Sequence, residues 1–383
     1  MKLHNEIDHE LLTQRIRPRE VDVRGPFYRD TTAIIHSSAF RRLKQKTQVF
    51  FAPSNDHICT RMEHCLHVAS IASTICKGLG LDSDLAWAIG MGHDLGHTPF
   101  GHTGEKILSR KMERSGLGDF EHEKHSLRVV DFLSEQGRGL NLTYAVRDGI
   151  AFHNGEHLVK SIRPTFEVRD LTKDLRNQAI LPATYEGTVV RFSDTIAYLG
   201  RDFEDACRLG VIDKGALPPR VAAKLGKSNA QIIDTLVNDI ILHSNPVEGI
   251  SFSDELFPVI EEMMKFNYRE IYKSPMLEGY ERYFERLFTL IISYLQTLLA
   301  ECGDDEECYK DERNMLAMGF YHHKQEMEQA YIAHDGNVDR LVYDYIAGMS
   351  DHFALDCANE ILKPEHLNDA IEQSLTGKWF DVR

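Results

Sequence analysis

The stretch from Arg61 to Leu79, RMEHCLHVASIASTICKGL, constrains the fold most. Its apolar residues recur at helical spacing, and Gly80 follows as a stop. The same punctuation recurs along the chain. Asp82 or Ser83 can cap a helix running from Asp84 towards His93, and Gly96 and Pro99 then break it. A new helix is expected from near Gly101, and Asp119 can cap the next, FEHEKHSLRVVDFL. Thr31 to Phe50 reads as one helix with a face of Ile34, Ile35, Ser38, Ala39 and Leu43. Further helices are expected around 141–152, 186–207, 229–243, 253–266, 277–301, 313–332 and 336–362. Strand signals are confined to 159–170, a short hairpin or a loop. With no βα alternation and no internal repeat, the fold class is all-α.

Residues 1–30 read as an N-terminal basic segment, 31–210 as the core and 211–383 as a C-terminal helical lobe. Gly210, Gly215, Pro218 and Pro219 mark the second boundary. The run Leu287 to Ala300, LFTLIISYLQTLLA, is too short and too polar to cross a membrane and reads as a buried helix. Trp87 reads as core, and the acids at 304–307 as a solvated turn. The N-terminus lacks an apolar core after a basic start, so no secretory signal is expected. Seven cysteines without a CxxC pair suggest free thiols, and a cytoplasmic location fits.

The chain carries a net charge of −15, which argues against a general nucleic-acid binder. Yet Arg15 to Lys46 holds nine Lys or Arg against three acids. Such a run is either a solvated helix face or the place where an anion is met.

Ten of the 19 histidines fall between residues 57 and 157. A single His on a helix is usually structural, but ten beside acids point to a metal. The centre is His93–Asp94 in MGHDLGHTPFGHTGE. Adjacent residues diverge on a helix, but they can converge on one ion where the helix ends, and Gly96 and Pro99 end it. His64 lies one helix earlier and Asp194 about a hundred residues later. Two imidazoles and two carboxylates suit Mn²⁺, Mg²⁺, Co²⁺, Fe²⁺ or Ni²⁺, with Zn²⁺ also admissible. A closed structural zinc site is the alternative, though such sites usually draw on Cys. His102 and Glu105 share one face if a helix starts by Gly101, and Tyr198 and Asp202 share one with Asp194. The plain readings are a surface contact for the first pair, and a core Tyr with a solvated Asp for the second. His125, His153 and His157 are candidates to line a phosphate channel.

The order H…HD…D resembles the HD-domain metal-dependent phosphohydrolases. The flanking strings resemble the deoxyguanosine triphosphate triphosphohydrolase family within them. They are FYRDTTAIIHSSAFRRLKQKTQVF (27–50), RMEHCLHV (61–68), HDLGHTPFGHTGE (93–105), FEHEKHS (120–126), RFSDTIAYLGRDFEDA (191–206) and YDYIAGMSDHFA (343–354). The resemblance implies an HD-domain helical core with an additional C-terminal helical lobe. It implies one divalent metal, Mn²⁺ or Mg²⁺ foremost, on His64, His93, Asp94 and Asp194. It makes His102 and Glu105 the catalytic pair and His97 a second active-site His. Arg61 and His122 are then phosphate contacts, Gln48 a contact to the sugar 3′-OH, and Tyr198 and Asp202 sugar-binding residues. The implied reaction cleaves a deoxynucleoside triphosphate (dNTP), with dGTP a candidate preference, at the α-phosphate to nucleoside and triphosphate. The alternative is another HD nucleotide phosphohydrolase, a nucleotidase or an enzyme for a signalling nucleotide. A homo-oligomer, tetramer or hexamer, is implied, and the basic segment makes single-stranded DNA a candidate second partner.

Elementary chemistry agrees. Water attack on a phosphate wants a metal and cations, for which Arg61, Lys44 and Arg42 are candidates. A 5′-alkoxide wants a proton donor. The spacing leaves open whether His102 is the acid on the leaving oxygen or the base on water; the acid is favoured.

Overall fold

The computed structural model describes residues 2–51, 55–153, 158–171, 181–334 and 339–362. The regular secondary structure of these residues is helical apart from one two-stranded antiparallel pair, Ser161–Ile162 with Ile250–Ser251. The alternation expected within 159–170 therefore yields two strand residues, paired with a distant segment. Among the described residues, no helix is long and apolar enough to cross a membrane.

The centre of the fold is a stack of three helices, Arg61–Leu79, Ser83–Gly92 and Tyr185–Arg208. Gly80 ends the first in the left-handed conformation (φ 72°). The Asp82 carboxylate starts the second by accepting from Asp84 N at 2.9 Å and Leu85 N at 3.0 Å. Gly90 lets the two helices touch: a Cβ there would lie 2.7 Å from Ala69 Cα. Val68, Ala72, Ile75, Ile89, Val189 and Ile196 fill the space between them. Each large aliphatic side chain so buried stabilises the fold by about 1.5–3 kcal/mol.

Several boundaries differ from expectation. Thr31 to Phe50 is not one helix. Pro26–His36 starts earlier, because proline is tolerated at a first turn, and Ser37 interrupts it with extended backbone (φ −68°, ψ 152°). The Ser37 hydroxyl donates to Ile34 O at 2.7 Å and accepts from Phe40 N at 3.1 Å, closing one helix and opening Ser38–Arg42. Asp119 is not the cap of the His122–Arg128 helix; Glu121 holds that position. The stretch expected as one helix at 336–362 comprises Asp339–Ala347 and Asp351–Ile361, with 336–338 outside the described residues. Ser350 opens the second of these by accepting from Phe353 N at 3.4 Å.

Two large apolar clusters organise the chain. The first runs from Leu3 to Phe266 and takes in Ile232, Leu236 and Ile260. The second joins Phe100, Ile107, Leu108 and Phe132 to the region after residue 280. Leu287–Ala300 lies within the helix Tyr280–Cys302, whose Phe284, Phe288, Ile291 and Leu295 face that second cluster. Trp87 is half-buried against the first. Cys302 and Cys308 form a disulfide, so the expectation of seven free thiols fails for these two, while the other five cysteines are free. The acids between them are only partly a solvated turn. Asp305 caps the helix Glu306–Asp311, and Asp304 accepts from Lys324.

The basic N-terminal run is largely absorbed by the protein itself. Arg15 meets the buried Asp30 at 2.5 Å and donates to Asn141 O at 2.6 Å, while Arg24 and Arg29 both pair with Asp22.

Candidate active site

His64 faces inward one turn into Arg61–Leu79, and His93 caps the C-terminus of Ser83–Gly92. Asp194 enters from the middle of Tyr185–Arg208. Asp94 occupies the tight turn that follows His93, so the two adjacent residues converge as the Gly96/Pro99 break led us to expect. His64 Nε2 lies 2.8 Å from Asp194 Oδ1 and 3.9 Å from Asp94 Oδ2. His93 Nε2 lies 3.5 Å from Asp94 Oδ2 and 4.0 Å from Asp194 Oδ1.

His93 Nδ1 sits 2.7 Å from the Gly90 carbonyl, which can only accept, so Nδ1 carries the hydrogen and Nε2 presents its lone pair. That Nε2 is buried and has no hydrogen-bond partner. A buried imidazole nitrogen without a partner is costly unless something else binds it. Ligands about 2.1 Å from an octahedral ion stand about 3 Å apart as neighbours and about 4 Å apart across it. The measured separations fall in that range: His64, His93 and Asp194 bring donor atoms within 4.8 Å of one another, as a divalent cation requires, and Asp94 Oδ2 borders both histidines. HD domains bind divalent metals, and this His/Asp cluster can hold one.

The electrostatics agree with a ligand set. Burial holds His93 below the usual histidine range, which keeps it neutral. Burial opposes the charge of Asp94, yet His93, Arg61 and His97 together hold its carboxyl well below the usual carboxylate range. Arg61, 1% exposed, gives Nη1 to Asp94 Oδ2 at 2.5 Å, Nε to Thr47 O at 3.1 Å and Nη2 to Gln48 O at 3.3 Å.

A second group borders the first on the other carboxylate oxygen. His97 Nε2 is 3.6 Å and His122 Nε2 is 3.9 Å from Asp94 Oδ1. The His97 and His122 rings stack at 4.0 Å between centroids. Gly96 permits that approach, since a Cβ there would lie 2.1 Å from Ser126 N. His102 and Glu105 lie on the first turns of Gly101–Arg114, with His102 Nδ1 3.3 Å from Glu105 Oε2. Glu105 also accepts from the backbone N of His122 at 2.7 Å and from its Nδ1 at 3.0 Å. Burial disfavours a charged His122 ring, but Glu105 and Glu123 outweigh it and lift its pKa to about 10. The His102 side chain is 59% exposed, against 13% for Glu105.

The helix bearing this pair begins on an unusual residue. Phe100 holds the left-handed conformation (φ 64°, ψ 26°) while fully buried. For a residue with a Cβ that costs about 1–2 kcal/mol.

The other expected residues spread along one side. Gln48 is half-buried, and its Oε1 has no hydrogen-bond partner. Tyr198 is half-buried on the Tyr185–Arg208 helix, and Asp202 is buried one turn further on. Burial raises the Asp202 carboxyl to about 7, and Tyr272 donates to it at 2.5 Å. Arg42 and Lys44 are both exposed. Lys46, two residues on, is instead buried and donates to the carbonyls of His97 and Ala347. His153 groups with Asp94 and His122, whereas His125 stands 3.7 Å from Asp344. His157 lies outside the described residues. Sequence reasoning missed Tyr272, Lys46 and Asp351. Tyr272 carried no signal at all, while Asp351 lay inside the last of the matching strings.

This fold and this site define an HD-domain phosphohydrolase. Residues 61–198 match the HD domain family, and residues 250–360 match the phosphohydrolase-associated domain. A relative from Caldanaerobacter subterraneus subsp. tengcongensis is 36% identical over 376 residues, covering 95% of this chain and 96% of its own. One from Desulfatibacillum aliphaticivorans is 36% identical over 348 residues, covering 89% of each chain. One from Clostridium tetani is 34% identical over 357 residues, covering 91% of this chain and 89% of its own. All three are named deoxyguanosinetriphosphate triphosphohydrolase-like proteins, and the chain belongs to that family.

Proposed function

We propose that the protein hydrolyses deoxynucleoside triphosphates, dGTP among them, at the α-phosphate to deoxynucleoside and inorganic triphosphate. The observation that carries this reading is the Asp94 carboxylate. One of its oxygens lies among His64, His93 and Arg61, and the other faces His97 and His122. His64, His93, Asp94 and Asp194 would hold one divalent cation, Mn²⁺ or Mg²⁺ foremost. Bound there, it supplies charge stabilisation for a phosphoryl oxygen and acidifies water.

The chain's own residues do the rest. The charged His122 ring and the Arg61 guanidinium flank Asp94, where an arriving phosphate meets both. As the water oxygen bonds to the α-phosphorus, the bond to the 5′ oxygen breaks and that oxygen needs a proton. His102, with Nδ1 turned to Glu105, leaves Nε2 to deliver it, and the proton lost by the attacking water restores the ring. Its exposure suits a donor that must reach an incoming substrate. His97 packs between the pair and Asp94. Gln48 supports a contact to the 3′-OH through its unpartnered oxygen. Tyr198 and Asp202 extend the face of Asp194 towards the sugar.

The test is incubation with Mn²⁺ and each of the four dNTPs, with products separated by ion exchange, beside a His102→Ala variant. Deoxynucleoside plus triphosphate, lost in the variant, is expected. Release of single phosphates, or of a monophosphate with pyrophosphate, would overturn the assignment in favour of another nucleotide phosphohydrolase.

A further inference from the structure

The segment that delivers His97, His102 and Glu105 to the site is held from outside the residues that match the HD domain. Phe100 lies at its middle, left-handed and buried, which is a conformation its surroundings must enforce. Two contacts enforce it, and both come from the region matching the phosphohydrolase-associated domain. The Phe100 ring stacks on Phe284 at 4.0 Å between centroids, with planes 11° apart, and meets Phe288 edge-on at 5.9 Å. The Phe100 backbone N donates to Asp351 Oδ1 at 2.9 Å.

Asp351 is 1% exposed and uses its other oxygen on a second segment. Oδ2 accepts from Thr47 N at 3.1 Å and from the Thr47 hydroxyl. Thr47 and Gln48 in turn give their carbonyls to Arg61, which meets Asp94. One buried carboxylate thus ties the turn before His102 to the strip bearing Gln48 and Arg61. Lys46 repeats the connection one residue away, by donating to both His97 O and Ala347 O.

We propose that Asp351 is a positioning residue for the reaction. It fixes the left-handed turn at Phe100, and so fixes His102 and Glu105 against the Asp94 centre. The C-terminal helices then complete the active site without touching substrate. An exposed His102 has little packing of its own, so its placement depends on where its helix starts. The proposal rests on the assignment of His102 and Glu105 to the chemistry.

The test compares full-length Asp351→Ala and Asp351→Asn with the unmodified protein. The readouts are kcat, KM and Mn²⁺ affinity by titration calorimetry. Asp351→Ala is expected to lower kcat about 10²-fold, the cost of a displacement near 1 Å. KM rises less than kcat falls, since Thr47 adjoins Gln48, and the Mn²⁺ Kd stays within about threefold, because neither the ligands nor their helices contact Asp351. Asp351→Asn keeps one acceptor but turns an NH₂ towards the other donors, so it recovers part of the loss, to about tenfold below the unmodified protein. A folded Asp351→Ala protein with unchanged kcat would overturn the proposal. So would a loss of kcat matched by an equal loss of Mn²⁺ affinity, or no recovery in Asp351→Asn. If Asp351→Ala does not fold, Asp351→Asn decides alone, and an unchanged kcat there refutes the role. Failure of the dNTP reading shows separately, in the unmodified protein; the comparison is then run on bis(p-nitrophenyl) phosphate.

Discussion

The two halves of the site are built in opposite ways. The His64, His93, Asp94 and Asp194 group comes from three tightly packed helices and the turn after one of them, and its side chains are 0–19% exposed. His102 and Glu105 come from the first turns of a single helix, and the His102 side chain is 59% exposed. A cation centre needs fixed ligands, and burial between helices fixes them. A proton donor to a leaving group needs access, and access removes the packing that would hold it. The left-handed Phe100 and its contacts beyond residue 280 occur where packing around His102 is thinnest.

Breaking the first half should cost most. His93→Ala is expected to abolish measurable Mn²⁺ binding in calorimetry and to lower kcat/KM by about 10³ or more, the several kcal/mol a catalytic cation supplies. His102→Ala should lower kcat by about 10²–10⁴, the usual share of general acid catalysis, and leave Mn²⁺ affinity within about twofold. Equal loss of metal binding in both variants would erase the distinction between the halves.

A third change separates the fold's own pH response from that of the site. Asp148 is fully buried and accepts from Ala183 N at 2.7 Å, and burial raises its carboxyl to about 6. The native state therefore holds its proton more tightly than the unfolded chain, whose carboxyl titrates near 4. The share of stability due to Asp148 is expected to fall by about 2–3 kcal/mol as pH rises from about 4 to about 6, beside a further fall from Asp202 that continues to about 7. Asp148→Asn should reduce the slope between about pH 4 and about pH 6 by that amount in urea melts at stepped pH, and an unchanged slope would assign it to other groups.

The smallest effect sharpens the comparison from the packing side. Gly90→Ala places a methyl 2.7 Å from Ala69 Cα and must push the His64 and His93 helices apart. It is expected to cost about 1–3 kcal/mol in thermal or urea unfolding and to weaken Mn²⁺ binding before it affects the pH profile of kcat. Unchanged stability would mean that the helices can separate freely there.

Much of this was legible in the chain. The helix from Arg61 stops at Gly80 because glycine reaches the left-handed cap, and composition alone reveals that. His93 and Asp94 converge because the helix ends at Gly92, with His93 as its cap and Asp94 in the turn beyond, which the breakers Gly96 and Pro99 announced. Other features depend on partners that local pattern cannot supply. Ser37 splits a helix by bonding to Ile34 and Phe40, a choice that helical periodicity does not register. Glu105 was read as the partner of His102, but its stronger tie is to His122, 17 residues away. Tyr272 reaches Asp202 across 70 residues from a stretch with no recognisable pattern. The basic run of Arg15 to Lys46 read as either a solvated helix face or an anion site, and most of its charge is bound to Asp22, Asp30 and backbone carbonyls.

Hydrolysis of a dNTP in heavy-oxygen water, followed by mass spectrometry of both products, tests the central claim most directly. Attack at the α-phosphorus beside Asp94 puts the label into the released triphosphate and none into the deoxynucleoside. Label in the deoxynucleoside, or label carried by orthophosphate or pyrophosphate instead of triphosphate, would contradict it.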